Sequence, residues 1–398
     1  MVVGKEDFGK YKEIYKENLL GHILPFWEKH SIDKEDGGFY TCLGVDGSVY
    51  DTDKFVWLQC RQVWMFAKLY NEVEPKVGWL DIAVHGADFL QRFGRSESGR
   101  WYFSLDKKGS PLVQPYNIFS DCFASMAFGQ LGKITGKTEH TAIATQTFYN
   151  ILDAQDNPKG KYEKTYPGTR KLQSLSLPMI LSNLVLELSH ILDAKVVDDQ
   201  LNSVKRKILS YFYKPEHGLI MENVGMDGSF SDTFQGRLVN PGHGLETLWF
   251  LMDIAERQND RELIQKCTDA VISTLEYGWD SEYGGLFYFM DLKGHPPEQL
   301  EWDHKLWWPH IEAMIACAKG FYLTSDVRCW KWLMTLHEYT WSHFVDEDHG
   351  EWFGYLSREG KVTHHLKGGK WKGCFHVPRG VLYLWELMAK LEKNYVAQ

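Results

Sequence analysis

Gly284-Gly285-Leu286-Phe287-Tyr288 is one copy of a glycine-aromatic signature that returns along the whole chain. The other clear copies are Gly37-Gly38-Phe39-Tyr40, Gly99-Arg100-Trp101-Tyr102-Phe103, Gly218-Leu219-Ile220 and Gly350-Glu351-Trp352-Phe353-Gly354-Tyr355, and a weaker sixth, Gly160-Lys161-Tyr162, fills the one gap. The leading glycines at 37, 99, 160, 218, 284 and 350 stand 62, 61, 58, 66 and 66 residues apart. Spacing that even marks a repeat architecture, each unit burying its apolar face against the next. Most copies run on into a turn: Asp46-Gly47, Asp106-Lys107-Lys108-Gly109, Asp227-Gly228, Asp291-Leu292-Lys293-Gly294 and Glu359-Gly360. Short aromatic strands joined by such turns predict β-hairpins.

Two helical stretches separate successive copies. The one before each signature is amphipathic, as in Trp79 to Leu90, and can leave a face to water. The one after it is apolar on most sides, as in Leu177 to Leu192 or Ile311 to Tyr322, and belongs inside. The pattern predicts an all-α fold, an (α/α)6 barrel of twelve helices with short β-hairpins gathered at one end. Nowhere do Ser, Pro, Gly or charge accumulate over ten residues, so the 398 residues read as one domain, 1-398, without a linker.

Composition narrows the partners. A net charge of -9 argues against nucleic acid or an anionic membrane surface. No apolar run approaches the ~20 residues that span a bilayer, and Met1 to Lys10 holds no signal-peptide core. The seven cysteines (42, 60, 122, 267, 317, 329 and 374) are dispersed and form no C-x-x-C, which fits reduced thiols in the cytoplasm. Sixteen tryptophans exceed the need of a core and suit a sugar stacking in a cleft.

If every inner helix starts from the hairpin side, its first turns face one shared cavity. The polar residues there are Trp57 and Arg61, then Tyr116 and Asn117, Asn183 and Glu187, His243 and Glu246, Trp308 and Glu312, and His376 and Arg379. Pairs three or four apart share a helix face. Asn240-Pro241-Gly242-His243-Gly244-Leu245-Glu246 breaks the chain before a helical period and predicts His243 in the first turn, one turn from Glu246, where the carboxylate can orient the imidazole. Singly, Arg61 reads as a salt bridge, Asn183 as a helix-helix bond and Trp308 as core. Burying all of them unpaired would cost about 1-3 kcal/mol each, so together they point to a site.

Other motifs are weaker. His304/His310, His337/His343 and His364-His365 lack helical zinc spacing and read as scattered surface histidines, so no metal is expected. Asn157 to Lys171 is basic and glycine-bearing, and Lys161, Lys164 and Arg170 could hold phosphates, though a solvated loop fits equally and the order is not that of a P-loop.

Tyr116 to Ala124, Lys164 to Leu192, Asn240 to Met252, Gln299 to Glu312 and Leu366 to Pro378 together resemble the N-acylglucosamine 2-epimerase (renin-binding protein) family, and within it the cyanobacterial N-acetylglucosamine 2-epimerases, almost end to end. The resemblance implies an (α/α)6 barrel, often a homodimer, that interconverts N-acetyl-D-glucosamine and N-acetyl-D-mannosamine, with ATP as an activator that is not consumed. It makes His243 and His376 the catalytic pair, supported by Arg61, Glu312 and Arg379. It places Glu246 beside His243, with Tyr116, Asn183 and Trp308 lining the sugar. Related cellobiose 2-epimerases and mannose isomerases carry a histidine where this chain has Glu187, a departure that favours the N-acetylhexosamine branch.

Epimerisation at the acetamido-bearing carbon needs ring opening, removal of the proton alpha to the aldehyde, and return of a proton to the other face. Histidines titrate near working pH and can do both, through an enolate that Arg61 or Arg379 would stabilise. Three alternatives stay open: a carbohydrate hydrolase or lyase using Glu246 with Glu312 or Glu187, an epimerase or isomerase of an unmodified sugar, and a non-catalytic partner-binding protein.

Overall fold

The computed structural model describes residues 4–162, 166 and 169–394. The outer layer opens with α1 (Lys5–Glu17), which passes through a π-helical stretch, Asn18–Ile23, into α2 (Leu24–His30). Inner α3 (Val56–Glu72) and outer α4 (Val77–Phe93) follow, then inner α5 (Phe119–Thr135), outer α6 (Thr138–Ala154), inner α7 (Ser176–Glu187) and outer α8 (Ala194–Lys207). After a single turn, α9 (Phe234–Arg237), come inner α10 (Pro241–Gln258), outer α11 (Arg261–Gly278), inner α12 (Trp307–Thr324), outer α13 (Val327–His343) and inner α14 (His376–Asn394). Counting α1 and α2 as one broken helix, the described residues form the expected (α/α)6 barrel.

The inner helices pack as a ring, α3 on α5, then α7, α10, α12 and α14 in turn. It closes where Trp64 of α3 meets Phe375 at the entry to α14, ring centroids 5.3 Å apart. Close approach depends on small residues: a Cβ on Gly380 would overlap Ile311, so glycine there lets α14 lie against α12. The main core draws side chains from both layers.

The expected hairpin forms across the Asp106–Gly109 turn, where Ser104–Leu105 pairs antiparallel with Pro111–Val113. The turns at Asp46-Gly47 and Glu359-Gly360 close on single bridges, Leu43 with Val49 and Leu356 with Val362. Most other strand pairs join neighbouring units. Lys54–Phe55 pairs antiparallel with Ser104–Leu105, Leu172–Ser174 with Asn223–Gly225, Leu238–Val239 with Met290–Asp291, and Lys305–Leu306 with Tyr355–Leu356. Each of these joins the strand before one inner helix to the next unit, so the pairing stitches neighbours together. Around the Gly218 signature Tyr213–Lys214 makes a second hairpin with Leu219–Ile220. Elsewhere the loop closes on single bridges, Ile32 with Phe39, Arg95 with Trp101 and Trp279 with Leu286. The sixth copy is a tight 3-10 turn, Gly160–Tyr162, without a strand. What the copies share is the glycine itself, at positive φ in all six, a conformation that costs other residues about 1 kcal/mol or more.

A second repeated device was hidden in the sequence. Asp33, Asp280 and Asp346 each stand four residues before a signature glycine, and each Oδ1 accepts backbone N–H groups of its own turn. The other oxygen of each takes a fully buried lysine: Lys54 at 2.8 Å, Lys305 at 3.0 Å and Lys367 at 2.7 Å. Lys54 also donates to the carbonyls of Gly37 and Lys107, tying two units together. Removing one member of a buried pair strands the other, at about 3–5 kcal/mol. Lys54→Met should therefore lower the midpoint of thermal unfolding by several degrees, and the double change with Asp33→Asn should recover part of the loss. A thermal melt of the three proteins checks this.

Candidate active site

The strands stand at the N-terminal ends of the inner helices, and the first turns of those helices enclose a cavity of about 760 Å³. His376, the first residue of α14, directs Nδ1 to Glu312 Oε1 at 2.7 Å. A carboxylate can only accept, so Nδ1 carries the hydrogen and Nε2 is left with its lone pair. Arg379 Nη2 reaches the same Glu312 oxygen at 2.5 Å and Glu246 Oε1 at 2.8 Å, while Trp249 Nε1 occupies Glu312 Oε2 at 2.9 Å. Glu312, with no exposed surface, is thus saturated by three donors. Burial first, and then the Arg61 charge, hold His376 well below its ordinary value, so it is neutral at rest.

His243 behaves oppositely. Asn240 caps α10 by accepting the His243 amide at 3.0 Å, with Pro241 at the first helical position. The His243 ring sends Nδ1 to Glu222 Oε1 at 2.8 Å. Burial opposes its charge, but Glu222 outweighs burial and raises His243 above its ordinary value, with help from Glu246 and Glu312. The expected i,i+3 pairing with Glu246 is corrected here: Glu246 turns to Arg379, and Glu222, from the signature loop ahead of α10, orients the imidazole. Both imidazoles pack on Trp308, at 4.9 Å for His243 and 5.8 Å for His376. A Cβ on Gly242 would meet that indole at 2.6 Å, so glycine makes room for the stack.

Arg61 is the unpaired cation. Its guanidinium lies 4.0–4.4 Å from the ring centroids of Phe123, Trp57 and Phe375, and its Nε has no hydrogen-bond partner. Burial, and then Arg379 beside it, draw Arg61 down to about 9, which leaves it charged at neutral pH.

The sequence pattern of the N-acylglucosamine 2-epimerase (GlcNAc 2-epimerase) family matches residues 38–377. The chain belongs to this family. It is 39% identical to the N-acylglucosamine 2-epimerase of Mus musculus over 94% of this chain and 91% of that one. It is 25% identical to the cellobiose 2-epimerase of Bacteroides fragilis, over 92% of this chain and 96% of that one. Among solved structures, a cellobiose 2-epimerase from Bacillus thermoamylovorans superposes with a TM-score of 0.82 at 20% identity, covering 95% of this chain and 99% of that one, which speaks for the fold alone. As a member of an epimerase family the chain is an isomerase.

In this epimerase barrel Trp57, Arg61, Asn183, His243, Glu246, Trp308, His376 and Arg379 come together around the cavity, and Glu312 lies just behind its wall. Tyr116 and Glu187 do not join them. Tyr116 packs on Phe103 at 5.1 Å, in a small rim cluster. Glu187 sits one turn beyond Asn183, outside the cavity lining, where its Oε2 accepts from Trp64 at 3.0 Å and Gln130 at 2.8 Å and its Oε1 faces Lys68 at 3.8 Å. The basic stretch is likewise divided: Arg170 lines a second hollow with Thr169 and Asn223, Lys161 lies over the Tyr162 ring, and Lys164 falls outside the described residues. Not all histidines are at the surface: His310 is buried, with Nδ1 on the Leu306 carbonyl and Nε2 accepting the Leu286 amide.

Glu222, Tyr288 and Glu301 also line the cavity and escaped the sequence reading, and His304 and His364, read as surface histidines, are corrected to cavity-lining residues. Two of them carried a usable mark. Glu222 and Tyr288 each stand four residues after a signature glycine, Gly218 and Gly284, in a bend that lines the cavity. Among the described residues one group could hold a metal, Glu246, Glu312 and His376, with donor atoms within 4.8 Å of each other. Arg379 already bonds both carboxylates, placing a positive charge where a cation would sit.

Glu222 invites a test of its own. Its charge raises His243, so the protonated imidazole, and the stability it brings, is fully present below about pH 6.5 and is lost as pH rises through the raised value. Glu222→Gln keeps an acceptor for Nδ1 but removes the charge. The alkaline limb of activity that depends on protonated His243 should move to lower pH by about one unit. A pH–rate profile of kcat measures the shift.

Proposed function

We propose that the chain interconverts N-acetyl-D-glucosamine and N-acetyl-D-mannosamine by proton transfer at the acetamido-bearing carbon of the opened sugar. The observation that carries this reading is the pair of imidazoles on Trp308 with opposite proton preferences, one neutral and one favouring its proton. An epimerase with two bases needs that starting state: His376 Nε2 takes the alpha proton while His243 Nε2 delivers one to the other face. Glu312 becomes the counter-charge of the imidazolium formed at His376, as Glu222 is for His243. Arg379 is occupied by Glu246 and Glu312, so Arg61 is the cation free to meet the enolate oxygen. Trp308 offers its face to the sugar.

The higher identity to an N-acylglucosamine 2-epimerase than to a cellobiose 2-epimerase supports the N-acetylhexosamine over an unmodified sugar or disaccharide. A hydrolase would require a carboxyl group free to give and take protons beside a glycosidic bond. Of the three candidate acids, Glu246 and Glu312 are committed to Arg379 and Glu187 lies outside the cavity lining, which argues against that role. Following N-acetylmannosamine by NMR tests the reading: appearance of N-acetylglucosamine is expected, and a sugar left unchanged with and without ATP would refute it.

ATP as a non-consumed activator, a homodimer and a cytoplasmic setting complete the proposal. Seven buried, unpaired cysteines support the reducing compartment, and no described helix is long and apolar enough to cross a membrane. Arg170 and Thr169 offer a cation and a hydroxyl to a phosphate in the second hollow, although Glu298 shares its wall. ATP should raise the unfolding temperature by mass action. Arg170→Ala should shrink that rise, and an unchanged rise would put the nucleotide elsewhere.

A further inference from the structure

Two buried donors stand at one end of the cavity without acceptors. Arg61 is 8% exposed, lines the cavity, and has no hydrogen-bond partner for Nε. Trp57, one turn earlier on α3, also lines the cavity and leaves Nε1 unsatisfied. Their side chains touch, the guanidinium carbon 4.4 Å from the indole centroid. A guanidinium desolvated this far without a carboxylate is costly, and the ring faces around it offer attraction but no hydrogen-bond acceptor. The carboxylates in reach of its field, Glu246 and Glu312, are both bonded to Arg379. The remaining surroundings are aromatic: Phe123 and Phe375 complete the box around the guanidinium plane. Such a corner is arranged for a ligand that brings its own negative oxygen.

In the proposed reaction that oxygen is negative only in passing, at O1 of the enolate. A site complementary to a transient charge binds a stable ligand bearing the same charge more tightly than the neutral substrate. From this we infer that the cavity is also a receptor for open-chain 2-acetamido aldonates, sugar acids whose C1 carboxylate occupies the Arg61–Trp57 corner. The carboxylate is planar, as the enolate is at C1, and a guanidinium presents paired N–H groups that match it. The acetamido group and the remaining hydroxyls are those of the substrate, so the rest of the cavity is used unchanged. Such sugar acids would act as competitive inhibitors of the isomerase, a ligand class distinct from its aldose substrates.

The inference rests on the epimerase reading, and its test separates the two. The probes are 2-acetamido-2-deoxy-D-gluconate and the neutral 2-acetamido-2-deoxy-D-glucitol, which differ only at C1. Epimerisation of N-acetylmannosamine is first measured at pH 7.5 with the full chain. The gluconate should then inhibit competitively with Ki at least ten-fold below that of the glucitol. Calorimetric titration of Arg61→Gln and Arg61→Lys, with circular dichroism to show that each is folded, should find the preference abolished in the first and reduced in the second. Turnover with no preference for the acid, or a preference that survives Arg61→Gln, overturns the inference and leaves the functional reading standing. Absence of turnover overturns the reading and the inference with it. Should Arg61→Gln not fold, the wild-type comparison of the two probes decides alone.

Discussion

Glu312→Gln should cut kcat by about 10²- to 10³-fold while leaving KM close to normal. The side chain is wholly buried and accepts from three donors, His376 Nδ1, Arg379 Nη2 and Trp249 Nε1. Glutamine keeps one oxygen but turns an NH2 group toward at least one of those N–H donors, breaking a bond that cannot be replaced from solvent. Arg379 keeps Glu246 but loses half its counter-charge. His376 loses the anion that holds its tautomer and stabilises the imidazolium formed when it takes the alpha proton. Because Glu312 stands behind the cavity wall and not in it, substrate binding should change little. A few degrees of thermal stability should go as well, since a buried charge pair has lost one side. Near-normal kcat in a folded Glu312→Gln protein would show that the His376–Glu312 bond has no part in turnover.

The barrel was legible because its repeat is written in backbone chemistry. A glycine at positive φ every 58 to 66 residues cannot drift without strain, so the signature persists even where the strand it introduces has dwindled to a single bridge. Strand pairing was less legible: sequence places a strand after each glycine, but four of these strands pair with the preceding unit, and register between units depends on packing that no local window contains. The Asp33–Lys54 device shows the same limit, with an acid and its lysine 21 residues apart and in no helical or strand period.

The site divides along a similar line. His243, Glu246, Trp308, Glu312, His376 and Arg379 were found because helical spacing puts them at the starts of inner helices. Their partners were not, since spacing along one helix invites a local pairing such as His243 with Glu246, while the cavity brings Arg379 from another helix to claim that carboxylate. Glu222 lay in a bend between two short strands, 21 residues before His243, and no periodicity connects them. Glu187 was misread for the opposite reason: its spacing from Asn183 is right for one face, but a full turn deeper along the axis carries it past the cavity floor to Lys68 and Gln130.

Two bases of unlike resting protonation are the centre of this account, and proton exchange in deuterium oxide tests them most directly. His243→Asn leaves His376, neutral at rest, able to remove the alpha proton from one epimer but with no acid to complete inversion. His376→Asn leaves His243, whose proton Glu222 favours, so it becomes a base only as pH rises. Both variants should lose epimerisation by about 10³-fold or more. Each should still exchange the alpha proton of one sugar, the two variants choosing opposite epimers, and exchange by His376→Asn should climb with pH while that by His243→Asn stays nearly flat across neutrality. If one variant is silent toward both sugars and the other still epimerises, a single base does the chemistry and the two-histidine account is wrong.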